Sequence, residues 1–176
     1  MRKLNEEMVT EKELYEWLVN LGIDDYTVIE HPPLFSVEDV IDNDCLMPGL
    51  NFKNLLIKDK KADKYYLVII EDRRHMESKH YKSFTGWGKI RFAHPDELYE
   101  KMALRPGSVS PYGLLNNEER DIVVVVDRSI READDEELIN FHPNRNTATL
   151  TVKKFQFVRF LESLGNPIIW EPSDID

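Results

Sequence analysis

The sequence of 176 residues contains a single cysteine, Cys45, so no disulfide can form within the chain, which favours a reducing compartment. Cys45 stands beside apolar residues without a neighbouring histidine, a setting more typical of a small half-buried side chain than of a nucleophile. No apolar run approaches the roughly 18 residues that a membrane span needs. Residues 1–13 are charged where a signal peptide would be apolar. The sequence therefore predicts a cytoplasmic protein with no membrane partner.

Basic residues are also in short supply. Lys and Arg number 23 against 33 Asp and Glu, which gives a formal net charge of -10. Proteins that hold long stretches of nucleic acid need an excess of positive charge to neutralise phosphates. The charge and the lack of a basic helix therefore argue against double-stranded DNA binding. They leave room for a local contact with one end of a nucleic acid, or for a small-molecule or protein ligand.

Common catalytic motifs are missing as well. There is no Gly-rich phosphate loop, no His-Glu-x-x-His, no nucleophile elbow and no cysteine pair. Four histidines, His31, His75, His80 and His94, stand in polar or turn-like stretches typical of the protein surface, and the spacing of five between His75 and His80 does not place them on one helical face. We expect neither a metal site nor a cofactor.

The composition is that of a folded protein, with 41% hydrophobic residues, 32% charged residues and 10% aromatic residues. The length fits one domain over residues 1–176. Thr10 and Glu13 form a capping box that opens a first helix, and Gly22 follows it. The uninterrupted β-branched run 122–126 is typical of a strand buried on both faces of a sheet.

The remaining pattern predicts an α/β fold, with a mixed central β-sheet surrounded by helices. Further strands are expected at 26–30, 55–57, 65–71, 90–93, 138–141, 148–150 and 168–170, with a polar turn over residues 58–64. Further helices are expected from Val37, over 76–84 and 95–103, and from Thr151 to Gly165, the last with Val152, Phe155, Val158, Leu161 and Leu164 toward the core.

Three polar clusters flank predicted strand ends, where clefts usually open in α/β sheets. Lys53 could bring its ammonium to a phosphate or an ester oxygen, although a solvated surface lysine fits the same pattern. The loop 105–113, rich in Gly and Pro, could cradle an oxygen with its N–H groups or be purely structural. His142 flanks a turn between two strands, where a ligand role and a satisfied core role fit equally well.

At these clusters the sequence resembles the YbaK and prolyl-tRNA-synthetase-associated editing domains, especially the free-standing ProX-like proteins. The matching segments follow in order over nearly the whole chain, at residues 31–38, 53–55, 58–61, 106–116, 140–143 and 146–150. The resemblance implies the fold of that family and hydrolysis of the ester that joins an amino acid to the terminal adenosine of tRNA. The branch specific for alanine on proline tRNA is the most similar.

The same resemblance implies roles for individual residues. Lys53 matches the family's functional lysine and is the implied catalytic residue. The implied substrate-binding residues are Asn54, Gly107, Ser108, Val109, Ser110, Pro111, His142, Asn146 and Thr147. One departure is residues 48–52, since many relatives have a small or polar residue or His beside the lysine. The implied partner is the acceptor end of aminoacyl-tRNA, with prolyl-tRNA synthetase or an elongation factor as a candidate source of further tRNA affinity.

Two functions remain open at this point. One is a deacylase that hydrolyses mischarged tRNA without a protein nucleophile, using positioned water and electrostatics because an aminoacyl ester is already activated. The other is a non-catalytic module of the same fold that senses proline or a prolyl adduct. Lys53 and residues 107–111 favour the enzyme, and a deacylation assay separates the two.

Overall fold

The computed structural model of the protein describes residues 10–33 and 47–173. The helix expected from Val37 and the setting of Cys45 lie outside these residues. Helix α1 (Glu11–Asn20) begins as predicted, because the Thr10 hydroxyl accepts a hydrogen bond from the Glu13 N–H at 3.2 Å. Its buried face carries Leu14 and Leu18, which anchors the helix on the sheet.

Eight strands of the described residues form one mixed sheet: β1 (Thr27–Glu30), β2 (Leu50–Asp59), β3 (Lys64–Glu71), β4 (Ile90–Phe92), β5 (Val123–Val126), β6 (Leu138–Phe141), β7 (Ala148–Lys153) and β8 (Ile168–Trp170). Their order is β1-β7-β6-β2-β3-β5-β8, and β4 pairs with β2 beside this path. Strands β3, β5 and β8 run parallel, whereas β2–β3, β1–β7 and β6–β7 are antiparallel. This confirms the predicted mixed sheet, with the run at β5 inside it.

The helices other than α1 are α2 (Ser78–Thr85), α3 (Pro95–Met102), α4 (Arg128–Glu132) and α5 (Lys154–Leu164), with a 3-10 helix at Pro111–Asn116. Helices α2 and α3 lie where the sequence predicts them. The 3-10 helix and α4 were not predicted. Asp127 caps α4 by accepting from the Ser129 N–H at 2.8 Å, a local signal that follows directly on the buried strand β5.

The prediction that Thr151 opens the last helix is wrong. Thr151 lies in β7, opposite Thr27 of β1 and Asn140 of β6. Its hydroxyl donates to Asn140 Oδ1 at 2.6 Å, so pairing with two neighbouring strands outweighs its preference for a helix start. Helix α5 begins three residues later at Lys154.

This shift also changes the buried face of the last helix. Phe157 and Phe160 are fully buried, whereas Phe155 and Val158 are only partly buried. Leu161 and Leu164 are buried as predicted. The predicted helical spacing was therefore correct, but the face it placed against the core was partly wrong.

Strand alternation divides the core into two apolar clusters on opposite faces of the sheet. Leu56 and Leu67 belong to the larger cluster, with α1, α5 and the 3-10 helix. Ile57 and Tyr66 belong to the smaller cluster, with Tyr81 of α2 and Trp87. Each residue of β2 can therefore be assigned to one face, which decides what lies next to the polar side chains of that strand.

Candidate functional site

Three aromatic rings bring the polar clusters of the sequence together. Phe52, next to Lys53, stacks on Phe141, next to His142, with ring centroids 5.3 Å apart. Tyr112, next to Pro111, meets Phe141 edge-on at 6.2 Å. Tyr112 is fully buried and Phe141 nearly so, so these contacts fix the three backbone segments relative to one another.

The outer edge of β2 is divided between two partners. Strand β6 pairs with Leu50 and Asn51, and β4 pairs with Ile57–Asp59. Within the described residues, no strand pairs with this edge over residues 52–56. The Asn54 amide donates here to the Val109 carbonyl at 3.3 Å, so the loop 105–111 lies over this part of β2. Since that amide oxygen is buried without a hydrogen-bond partner in the described part of the chain, it is a ready acceptor for a substrate or water.

The loop 105–111 is itself strongly organised. Gly107 has a φ of 91°, a left-handed conformation in which glycine is favoured. The Ser110 hydroxyl accepts from the Tyr112 N–H at 3.2 Å, and Pro111 opens the 3-10 helix. Ser110 is fully buried, so its side chain stabilises the loop end.

The backbone N–H groups of residues 107–110 differ in their hydrogen-bond partners. The Ser108 N–H donates to the Arg105 carbonyl at 3.1 Å, which closes a turn. The N–H groups of Gly107, Val109 and Ser110 have no acceptor among the described residues. Three backbone donors of the loop therefore lack an acceptor among the described residues, and that of Ser110 is fully buried.

His142 is held by the turn between β6 and β7. Its Nδ1 lies 2.7 Å from the Ala148 carbonyl. A carbonyl only accepts, so Nδ1 carries the proton and, in the neutral ring, Nε2 has a free lone pair. Burial lowers the pKa of His142, against the effect of the Ala148 hydrogen bond, and nearby His31 lowers it further. The ring is therefore a neutral acceptor near pH 7.

His31 is a residue of the site that the sequence assigned to the surface. Its Nε2 lies 2.8 Å from the Thr149 hydroxyl, and its ring centroid is 5.9 Å from that of His142. Its backbone N–H donates to the Thr147 carbonyl. Only the pairing of β1 with β7 creates this contact, so no local sequence signal reveals it.

The turn that carries Asn146 and Thr147 is tied to the first helix. The Thr147 hydroxyl accepts from Arg145 at 2.9 Å, and the Arg145 guanidinium also binds Glu11 and Glu30. The Thr147 hydroxyl is therefore bound to Arg145. Asn146 is partly buried. Beside it, both polar side-chain atoms of Asn144 are buried and lack partners among the described residues.

Lys53 is next to Asn54 in β2, but its side chain lies on the other face of the sheet. It pairs with Ile70 of β3, whereas Asn54 pairs with Ile69. Alternation therefore places Lys53 with the cluster that contains Ile70 and Tyr81. In the described part of the chain its ammonium has no hydrogen bond or ion pair. Alternation also separates the Lys53 side chain from that of Asn54 by the thickness of the strand.

A second polar cluster, not found from the sequence, surrounds Glu171 just after β8. Glu171 is fully buried and receives two guanidinium hydrogen bonds from Arg74, each of 2.8 Å. His80 Nε2 lies 2.6 Å away, and the Arg128 N–H donates at 3.0 Å. Arg74 also binds the buried carboxylate of Asp127 at 2.8 Å. These groups are scattered over almost 100 residues, so their spacing gave no signal.

Two observations bear on the other expectations from the sequence. Over residues 10–33 and 47–173, no three His, Cys, Asp or Glu side chains are grouped so that they could hold a metal ion. In the same residues, no helix has the length and apolar character needed to cross a bilayer. His75 and His94 are exposed, as predicted.

Comparison with known proteins points to one family. The model of the aminoacyl-tRNA editing domain matches residues 31–160. The prolyl-tRNA editing protein ProX of Acetoanaerobium sticklandii is 30% identical over 141 residues, which are 80% of this chain and 84% of that protein. Prolyl-tRNA synthetase associated domain-containing protein 1 of Danio rerio is 34% identical over 159 residues, 90% of this chain and 85% of that one.

A solved structure agrees at the level of the fold. It is that of a proposed trans-editing enzyme for prolyl tRNA synthetase, and it superposes with a TM-score of 0.68 at 15% identity over 97% of this chain and 99% of the other. The similarity covers the sheet and the helices together. The two proteins therefore share a fold.

Proposed function

Because the chain belongs to the aminoacyl-tRNA editing domain family and is a hydrolase of the aminoacyl-tRNA ester bond, we propose that it removes alanine wrongly attached to proline tRNA. The supporting observation is that the ring contacts of Phe52, Phe141 and Tyr112 hold the segments of Asn54, His142 and the loop 105–111 together, with Asn54 bound to Val109 of the loop. We treat residues 1–176 as one editing domain. Its substrate is a component of translation, in keeping with a cytoplasmic location.

The proposed chemistry uses water and no protein nucleophile. The N–H groups of Gly107 and Val109, which have no acceptor among the described residues, hold the aminoacyl carbonyl and stabilise the negative charge that develops on its oxygen. Lys53, on the other face of β2, binds the terminal phosphate. The vicinal ribose hydroxyl of the substrate orients the attacking water, while Asn54 and neutral His142 position it.

The site selects esters by the size of the aminoacyl side chain. A synthetase pocket separates side chains that differ by a methylene or two by only about 1–3 kcal/mol, so alanine enters a proline site. A second site with a close backbone wall can then accept alanine and exclude proline. Residues 107–111 form that wall, and Asn146 and Thr147 contribute further contacts to the substrate.

The proposed partner is the acceptor end of the tRNA alone. A net charge of -10 is compatible with a short contact and not with a long one. We propose that prolyl-tRNA synthetase or an elongation factor supplies further affinity for the rest of the tRNA.

A panel of substrates tests the function. Purified protein is mixed with proline tRNA carrying alanine, serine, cysteine or proline, and release of each amino acid is measured. We expect the alanyl ester to be hydrolysed fastest. Hydrolysis of none of them, together with measurable binding of proline, would instead support the sensing module.

The loop 105–111 makes a prediction about specificity. Gly107→Ala should lower kcat/KM for both alanyl and prolyl esters, because a Cβ crowds the wall and strains the left-handed backbone. Pro111→Ala should loosen the start of the 3-10 helix and reduce the alanine-to-proline ratio of kcat/KM more than the rate on alanine. An unchanged ratio in both variants places the discriminating surface elsewhere.

The mechanism also predicts that zinc chelation leaves activity unchanged. The chelator 1,10-phenanthroline is suitable because it leaves the magnesium that tRNA itself needs. Deacylation in its presence should equal that of untreated protein, since the proposed chemistry requires no metal. Loss of activity that added zinc restores would contradict the mechanism.

A further inference from the structure

Residues 73–82 differ in charge from the rest of the molecule. This segment holds four Lys or Arg and two His against one Glu, in a chain with a net charge of -10. It begins just after β3 and includes the first half of α2. Arg73, His75, Lys79 and Lys82 are exposed. An otherwise acidic protein therefore presents one locally basic surface here.

A cavity of about 350 Å³ opens within this surface. It is lined by Arg74, His75, Glu77, His80, Tyr81 and Arg128. Arg74 follows β3 and Arg128 follows β5, two parallel strands. The cavity therefore lies beyond the carboxyl ends of parallel strands, the usual position of ligand sites in α/β sheets. His75 precedes α2, which explains how it reaches the same cavity as His80 despite their spacing.

One of the two arginines that line the cavity is held in place by carboxylates of the protein interior. Arg74 is fixed by the buried carboxylates of Glu171 and Asp127. Two bonds to Glu171 and one to Asp127 use its terminal nitrogens, and its Nε–H has no acceptor among the described residues. Because the guanidinium is positioned in advance, it loses little conformational freedom when an anion binds.

The cavity also has an unused hydroxyl. Tyr81 lines it, is 1% exposed, and its hydroxyl makes no hydrogen bond to any described residue. Burial raises the pKa of this phenol, as does the charge of Glu171. The group therefore stays protonated and can donate. A buried donor without a partner is costly, and a ligand oxygen removes that cost only where the lining shifts to expose the hydroxyl.

We propose that this cavity binds a backbone phosphate of the tRNA acceptor end, upstream of the aminoacylated adenosine. The inference rests on the proposed editing function and specifies where the nucleic acid lies. Lys53 pairs with Ile70, and β3 ends at Glu71, just before Arg74. Ile70 and Tyr81 belong to the same cluster on the face that Lys53 shares. A strand whose 3′ end meets Lys53 can thus continue past the end of β3 to the cavity.

The residues around the cavity fit an RNA phosphate better than a free small anion. Lys79 and Arg73 are exposed around the cavity and extend the basic surface beyond it, which suits a ligand with successive charges. Glu77 is the one carboxylate of the lining and opposes binding. Arg74 and Arg128 oppose it, with two imidazoles beside them, while Glu171 and Asp127 offset part of the charge of Arg74 from the interior.

The test measures binding of an uncharged acceptor-stem minihelix of proline tRNA by fluorescence anisotropy over a range of salt concentrations. The variants are Arg128→Glu in the cavity and His75→Glu at its exposed rim. Lys64→Glu is the control, because Lys64 is an exposed residue at the opposite end of β3. A thermal melt of each variant checks folding, and His75→Glu remains informative if Arg128→Glu is unstable.

We expect Kd to rise about five- to tenfold in both cavity variants at low salt and to change little in Lys64→Glu. In Arg128→Glu the slope of log K against log salt should fall by about 0.7, the value for one phosphate contact with a single strand. Equal weakening by Lys64→Glu would show a general charge effect. Binding of inorganic phosphate, with unchanged minihelix binding in both variants, would make the cavity a small-anion site. Either outcome overturns the proposal.

Hydrolysis of 3′-alanyl-adenosine separates this inference from the function. That substrate has no upstream phosphate, so its hydrolysis should be equal in wild type and the cavity variants. If wild type binds the minihelix through the cavity but hydrolyses no aminoacyl ester, the proposed function fails and the phosphate site stands. If hydrolysis of the small ester falls in both cavity variants, the cavity belongs to the catalytic site instead.

Discussion

Lys53→Ala is expected to lower deacylation of alanyl-tRNA for proline by at least about tenfold, the low end for losing one electrostatic contact in a transition state. Lys53 has no ion pair or hydrogen bond among the described residues, so its removal breaks no described contact of the folded protein. The melting temperature should therefore stay close to that of wild type. The measurement is kcat/KM under conditions where the substrate is below KM.

Two controls make the result interpretable. Lys64→Ala removes an exposed lysine from the far end of the neighbouring strand and should leave kcat/KM unchanged. Lys53→Arg keeps the charge and should recover part of the activity if the contact is electrostatic. Turnover of Lys53→Ala close to wild type would exclude Lys53 from the mechanism.

The second large effect is on stability. Arg74→Met should lower the free energy of unfolding by about 3–5 kcal/mol, because it leaves two buried carboxylates without their cation. Glu171 is 0% exposed and Asp127 is 1% exposed. The measurement is urea denaturation at pH 7. Arg131→Met removes an exposed arginine and should change the free energy by less than about 0.5 kcal/mol.

The same cluster predicts a dependence on pH. Burial alone raises the pKa of Glu171, but hydrogen bonds from Arg74, Arg128 and His80 outweigh it and lower the pKa to about 2. A folded-state pKa below the unfolded one stabilises the protein above the unfolded value, and this stabilisation is lost as the pH falls toward 2. Wild type should therefore lose stability between about pH 4.5 and 2, the window set by the usual and lowered pKa values.

In Arg74→Met the free energy of unfolding should fall less on acidification. The hydrogen bond from Arg74 is the largest hydrogen-bonding cause of the lowered pKa of Glu171, and the variant lacks it. The measurement is the free energy of unfolding, obtained by urea denaturation at several pH values below 5. A loss as steep as that of wild type would mean that other carboxylates dominate acid unfolding.

Local patterns were enough to predict most elements of the fold. The Thr10 cap and the run at β5 are signals within a few residues, and both predictions are confirmed. The start of β2 was missed because Leu50 and Asn51 pair with β6, nearly 90 residues away. Thr151 was misassigned for the same reason, since its role depends on strands from two distant parts of the chain.

The candidate site shows the same limit. The loop 105–111 and the turn at His142 could be recognised from their own residues, and the Phe52 and Phe141 contacts bring them together. The contact of His31 with His142 and the cluster around Glu171 arise only in the folded chain. The catalytic and binding roles assigned to Lys53 and its neighbours stay predictions.

The pairing of the first strand with the seventh has a consequence for synthesis on the ribosome. At about 5–20 residues per second, Thr151 is made roughly 6–25 s after Thr27, its partner in the sheet. Until Ala148 is made the nascent chain lacks the strand that pairs with β1, and for most of that time it also lacks the turn that carries His142. A chain that stops before Ala148 therefore contains Lys53 and the loop 105–111 but no complete site, so editing activity arises only near the end of translation.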